Sequence, residues 1–290
     1  VHELPHDPFA ASILSATFRH SSSDAADVTV PGFYDGGTTF RVRFMPSMIG
    51  TWTWTSDSSF PEMNGLSGRF ECDPEQHNSH GPIVTHGLHF RYADGTPFYP
   101  LGTTAYTWAY QREELVERSL SSFSEYGFNK IRMLFFPKEY GRPDDVFRIE
   151  LSPEVLPFDG VAGDLDFTRP NPAYYRLYEK RIRQLMERGI EADLILFHVY
   201  DAGRWGIAQG MSEIDEDRFV RYIVARFSAF RNVWWSLANE YDLFGISQPF
   251  VEFPSFRAKD WSRIGRLIAS EDPHHHLRSI HNWTWGPIYP

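Results

Sequence analysis

The sequence predicts an all-β sandwich at the N-terminus followed by an α/β barrel, and three observations carry that reading. Residues 1–75 contain short alternating strands separated by turn formers. From residue 89 onward, apolar strands alternate with amphipathic helices, the order that builds a parallel sheet. Polar and aromatic residues then cluster where those strands end, as they do when a (β/α)8 barrel assembles one site from many strands. Residues 76–88 are read as the linker, so the predicted domains are 1–75 and 89–290.

Each element has its own signal. Phe40-Arg41-Val42-Arg43-Phe44 and Thr51-Trp52-Thr53-Trp54-Thr55 alternate apolar and polar residues, and Asp35-Gly36-Gly37 is a turn between strand-like runs. A hairpin over residues 89–98 leads into a strand ending near Thr103 and Thr104. A helix follows from Glu113 to Tyr126, closed by Gly127, and then a strand from Asn129 to Phe136. Pro172 to Arg188 is a long helix closed by Gly189, and Ala192 to His198 is a strand. Glu216 to Phe230 is helical, Val233 to Ala238 a strand, Arg257 to Ser270 a helix and Leu277 to Asn282 a strand. The largely apolar strands imply helices on both faces of the sheet. A doubly wound sheet is the competing arrangement, but no Gly-x-Gly-x-x-Gly follows the first strand.

Composition narrows the function classes. The 290 residues carry a net charge of −10 without a basic stripe, which argues against nucleic acid as a partner. No apolar run approaches the roughly 20 residues of a membrane span. Cys72 is the only cysteine, so no intrachain disulfide can form and the compartment, cytoplasmic or secreted, stays open. Nine Trp and fourteen Tyr serve the core first, but flat rings also stack on sugars. The chain opens on Val1 without a signal-peptide pattern and stops at Pro290 shortly after a strand, so both ends are expected to be cut. Oligomeric state is not legible in the sequence.

Asn239-Glu240 ends the apolar run Val233 to Ala238 and is the expected centre of chemistry. A carboxyl on the C-terminal rim of a parallel sheet, beside an amide, suits acid/base work on a sugar, with Asn239 meeting a substrate hydroxyl. Arg132 is a cation inside a strand and requires a carboxylate partner, either as a structural ion pair or to hold a nucleophile ionised. His198 and His281 end two strands. Together with Asp201 and Asn282 they are expected to bond sugar hydroxyls, and a metal site through His198, Asp201 and His281 is the minor reading. No cofactor is implied. Trp108, Trp205, Trp283 and Trp285 are candidate sugar platforms, whereas Trp234 and Trp235 are read as core. His274-His275-His276 is read as solvated surface. Gly-x-Ser-x-Gly is absent, which leaves acyl transfer with little support.

Several stretches carry a family resemblance. They include Pro31-Gly32-Phe33-Tyr34-Asp35-Gly36, Arg41 to Pro46, Tyr92 to Phe98, Leu101 to Thr104, Phe128 to Met133, Gly189 to His198, Asn232 to Asp242 and Arg278 to Asn282. Together they resemble a family of glycoside hydrolases with an N-terminal β-sandwich of unknown function and an apiosidase-like (β/α)8 catalytic domain. The resemblance implies a carbohydrate substrate and a retaining, two-carboxylate mechanism. In it Glu240 is the acid/base at the end of strand 4, Asn239 its substrate-binding neighbour and Arg132 the arginine near the nucleophile. The nucleophilic Glu of strand 7 has no counterpart in the five barrel strands counted here, and the first sandwich strand is missing from the match. A fragment of a longer enzyme, inactive alone, is therefore expected, with a non-catalytic carbohydrate-binding or scaffold protein as the alternative.

Overall fold

The computed structural model describes residues 7–9, 13–22, 25–74, 79–138, 153–198, 200–201, 205, 211–242 and 259–282. Near the N-terminus lie β1 (Leu14–His20), β2 (Val28–Pro31), β3 (Phe33–Tyr34), β4 (Phe40–Arg41), β5 (Gly50–Ser58) and β6 (Ser67–Cys72). Four of these form an antiparallel sheet in the order β2-β1-β5-β6, and β3 pairs with β4 alone. The β3–β4 hairpin turns at Gly36 and Gly37, whose φ values of 91° and 59° demand residues without a Cβ. The strand predicted over Phe40–Phe44 thus pairs over only two residues. Its inward side chains still pack: Phe44 stacks on Phe18 with ring centroids 4.1 Å apart, and Val42 joins the cluster around Trp52.

A three-stranded meander follows, made of β7 (Ile83–His86), β8 (His89–Tyr92) and β9 (Pro97–Phe98). Ile83, Phe90 and Phe98 pack on Trp234 and so seal one end of the main sheet. The chain then runs through β10 (Gly102–Thr104), a 3-10 turn at Trp108–Tyr110, α1 (Glu113–Glu125) and β11 (Lys130–Leu134). The hairpin of β12 (Phe158–Val161) and β13 (Asp164–Pro170) precedes α2 (Pro172–Met186). The remainder is β14 (Glu191–His198), α3 (Glu213–Phe227), β15 (Val233–Asn239), α4 (Trp261–Glu271) and β16 (Arg278–Ser279).

Strands β10, β11, β14, β15 and β16 pair in parallel and in chain order. A doubly wound sheet reverses its strand order once, whereas this one adds every strand on the same side, as a barrel does. The helices begin where the local chemistry allows. Asn171 caps α2 by accepting from the Ala173 N–H, with Pro172 at the first helical position. Ser212 and Asp215 form a capping box on α3, so this helix starts three residues before the predicted Glu216. The strand predicted over Leu277–Asn282 pairs only at Arg278 and Ser279.

Alternation splits the sheet into two unlike faces. Ile131, Met133, Ala192 and Leu194 belong to the large hydrophobic core that includes residues of the helices. The other face carries charge. Asp193 lies 2.5 Å from Lys130 and 3.4 Å from the Arg132 guanidinium, while Glu191 accepts from the Trp234 indole at 3.0 Å. Burial pushes the Glu191 carboxyl up to about 7. The carboxylate that Arg132 requires is therefore supplied by Asp193.

The His274-His275-His276 run corrects one expectation. His276 is buried, not solvated: its ring bonds Asp272 at 2.9 Å, and Asp272 also accepts from the Trp235 indole at 2.9 Å. His274 lies against Phe44 of the N-terminal region, with ring centroids 5.9 Å apart. His275 between them stays exposed, so only its two neighbours turn inward at the junction.

A buried ion network strengthens that junction. Asp35 accepts from Arg226 at 2.8 Å, Arg176 at 3.0 Å and Arg41 at 2.6 Å. Glu179 of α2 accepts from Arg43 at 2.6 and 2.8 Å and from Arg226 at 2.8 Å. Arg226 of α3 is fully enclosed, and its Nη1 donates to Tyr222, whose hydroxyl donates in turn to the Tyr34 carbonyl. Replacing Arg226 by Met removes the guanidinium shared by two buried carboxylates, leaving Asp35 to Arg41 and Arg176 and Glu179 to Arg43. A loss of about 1–3 kcal/mol is expected, the usual range for a lost buried hydrogen-bonding partner of a charged group. Denaturant unfolding of the two proteins reads it, and an unchanged midpoint would show the network to be dispensable.

Candidate active site

The polar residues predicted at the strand ends do converge, and parallel register explains how. Arg132 stands opposite Asp193, and His198 opposite Asn239. The C-terminal ends of β11, β14 and β15 therefore reach the same rim of the sheet.

Asn239 is 0% exposed, so its amide must find partners inside the protein. Its Oδ1 accepts from Arg132 at 3.2 Å, and its Nδ2 donates to the Tyr200 hydroxyl. The Tyr200 hydroxyl then donates to Glu240 Oε2 at 2.7 Å. The result is a one-way chain of donors running from Arg132 through Asn239 and Tyr200 to Glu240, in which each bond polarises the next. Burial and the facing Glu240 carboxylate hold the Tyr200 phenol far above its ordinary range, so it remains a donor.

Glu240 follows β15 directly and adopts a left-handed backbone with φ of 53°. For a residue other than Gly this conformation costs about 1–2 kcal/mol. It turns the chain sharply at the end of the strand, and the Tyr200 bond fixes one carboxylate oxygen. Strained, well-held residues of this kind gather at sites of chemistry.

His198 is buried and committed at both nitrogens. Nε2 bonds the Pro137 carbonyl at 3.0 Å, and Nδ1 accepts from the Tyr200 N–H at 3.2 Å. That pattern requires the neutral ring, and burial holds the imidazole down at about 4. The sequence expected His198 to bond sugar hydroxyls. Its geometry corrects this: no ring atom is left for a ligand or a metal, and the ring instead stacks on Tyr200 with centroids 5.2 Å apart.

Asp201 also departs from a regular backbone, with φ of 64°. It accepts from the Trp205 indole at 2.9 Å and lies 3.9 Å from the Lys138 ammonium. Lys138 sits 4.0 Å from the centre of the Tyr200 ring, and its desolvation pulls the ammonium pKa down. His281 lies at the same rim. Its amide donates to Ala238, and its pKa is drawn down by burial and by the Arg132 cation. Nδ1 of His281 is enclosed without a protein partner among the described residues.

Two tryptophan expectations need correction. Trp108 is 5% exposed and packs edge-on to Phe123, and Trp205 is 2% exposed. Neither ring offers a face to a sugar, because both complete the core beneath the rim. Trp283 and Trp285 lie outside the described residues, and Asn282 is the last one described. Among the described residues no three His, Cys, Asp or Glu side chains are grouped as a metal would need.

The sequence reading missed Tyr200, which touches Asn239, Glu240, His198 and Lys138. The signal was present, since Tyr200 stands between His198 and Asp201 at the same strand end. Being neutral, it drew no attention as a catalytic group.

The buried neutral His198 makes stability depend on pH in a defined way. The folded ring takes up its proton only near pH 4, the unfolded ring near 6.5. Its contribution is complete above pH 6.5 and is lost as pH falls toward 4, an amount on the order of 2 kcal/mol at pH 4.5. Unfolding free energies at pH 7.0 and 4.5 should therefore fall further for the wild type than for His198→Gln. Equal falls would mean that the ring is not held neutral.

Comparison with known proteins gives the following. The family described as apiosidase-like, catalytic domain, matches residues 85–288. A domain of unknown function, DUF5060, matches residues 2–59. The crystal structure of a candidate glycoside hydrolase from Bacteroides vulgatus ATCC 8482 is 42% identical, with a TM-score of 0.84. That match covers 98% of this chain and 54% of the other, so the present chain spans about half of that relative. An endo-1,4-beta-mannanase from Rhizomucor miehei is 18% identical over 69% of this chain and 60% of its own, with a TM-score of 0.50, a likeness of fold alone. No curated protein matches the chain.

Proposed function

We propose, for a chain that belongs to the apiosidase-like catalytic domain family, that it is the part of a glycoside hydrolase that carries the general acid/base. The substrate is a poly- or oligosaccharide, and the bond cleaved is O-glycosidic. The observation that carries the reading is the donor chain from Arg132 to Glu240, which holds one carboxyl in a strained position at the strand rim. Glu240 protonates the leaving glycosidic oxygen and then takes a proton from the attacking water. Tyr200 positions it, Asn239 and Arg132 position Tyr200, and His281 meets a sugar hydroxyl.

A retaining mechanism needs a second carboxyl about 5 Å from the first. Asp193 is committed to Lys130 and Arg132, and Asp201 accepts from Trp205 beside Lys138. We take the nucleophile from outside the described residues, as the family resemblance implies. We keep the division into 1–75, 76–88 and 89–290 as part of the proposal, with the N-terminal sheet and the β3–β4 hairpin as the elements of a sandwich.

Turnover by the full-length protein on a panel of glycosides tests the assignment. Glu240→Gln should lose on the order of 10²-fold or more, the usual contribution of general acid/base catalysis. Tyr200→Phe should keep the fold and lose less, because it removes orientation but not the proton carrier. Wild-type turnover by Glu240→Gln would exclude Glu240 as the acid/base.

A further inference from the structure

A second site is suggested by the junction between the N-terminal hairpin and α2. A cleft of about 610 Å³ opens there, lined among others by Phe40, Arg41, Arg43, Arg176, Glu179 and Arg183. Arginine dominates its lining although the chain as a whole carries a charge of −10. The placement follows from periodicity: Arg41 and Arg43 are two apart on an extended segment, and Arg176, Glu179 and Arg183 share one face of α2.

Positive charge is in surplus in this cleft. Its carboxylates, Asp35 and Glu179, are saturated by Arg41, Arg43, Arg176 and the buried Arg226. Arg183 has no carboxylate partner among the described residues, and its guanidinium lies 5.6 Å from the Phe230 ring. The Arg41 side chain is 53% exposed and commits only Nε to Asp35, while that of Arg176 is 48% exposed and commits only Nη1. Guanidinium N–H groups therefore remain for an external oxyanion, in the planar fork that suits carboxylates. The half-buried ring of Phe40 lies in the same lining and adds an apolar surface of the kind that packs on a sugar face.

We infer that this cleft binds an acidic glycan segment, with uronate carboxylates held by Arg41, Arg176 and Arg183 and a sugar ring resting on Phe40. The inference rests on the proposal that the protein acts on a glycan, but the cleft shares no residue with the rim around Glu240. It would hold a charged stretch of substrate away from the bond being cleaved.

The test is equilibrium binding by calorimetry of an oligomannuronate hexamer against mannohexaose, the same β-1,4-linked chain without carboxylates, with inorganic phosphate as a third ligand. The hexauronate should bind saturably and more weakly at higher salt, and mannohexaose about tenfold less tightly or not at all. Arg183→Gln, which breaks no ion pair, should weaken the hexauronate about tenfold, with Arg183→Lys recovering part of the loss. Glu240→Gln should bind like the wild type, so a failure of the catalytic assignment leaves this result standing and the reverse also holds. Equal affinity for the two hexasaccharides, wild-type binding by a folded Arg183→Gln, or phosphate binding as tightly as the hexauronate would each overturn the proposal.

Discussion

The amide of Asn239 is the constraint around which the rim is arranged. It is fully enclosed, and an enclosed amide left unpaired costs about 1–3 kcal/mol. Its oxygen accepts a hydrogen bond from Arg132 and its nitrogen donates one to Tyr200, so those side chains cannot move independently. Arg132 can stand there only because Asp193 neutralises it one strand away. Tyr200 can turn toward Glu240 only because His198 accepts its backbone N–H and stacks on its ring. The position of the carboxyl is thus the last step of a sequence of satisfied polar groups that begins inside the sheet.

The same logic of burial governs the other end of the fold. Asp35 and Glu179 are held between the N-terminal hairpin and two helices, and arginines arrive from both sides to meet them. At a second junction His276, Asp272 and Trp235 close a loop that brings His274 against Phe44. Two polar junctions of this kind tie the N-terminal region to the helices and loops that flank the parallel sheet. They also leave more guanidinium than carboxylate in one cleft, an imbalance that packing alone does not require.

Periodicity was the most legible property. Strands Val233–Asn239 and Glu191–His198, and the helices at Glu113 and Pro172, lie within a few residues of where alternation and caps put them. Edges were less legible. The runs at Phe40 and Leu277 pair over two residues each, because pairing depends on a neighbouring strand that local pattern does not encode. The β12–β13 hairpin was not anticipated at all. Within the site, Glu240 and His281 stood out as ionisable groups at strand ends and Arg132 as a cation inside a strand, whereas the neutral Tyr200 did not.

The sequence by itself therefore determined the order of elements, the rim on which polar side chains would gather and the need of Arg132 for a counter-charge. Those follow from repeat length and from the cost of burying charge, which act locally. Only the tertiary structure decided which group each side chain would meet. It turned His198, Trp108 and Trp205 from ligand contacts into support, buried the His276 ring, and made Tyr200 the link between Asn239 and Glu240. The reason is that a hydrogen bond is directional and limited in number, so a donor's partner is settled by strand register and packing across residues far apart in the chain.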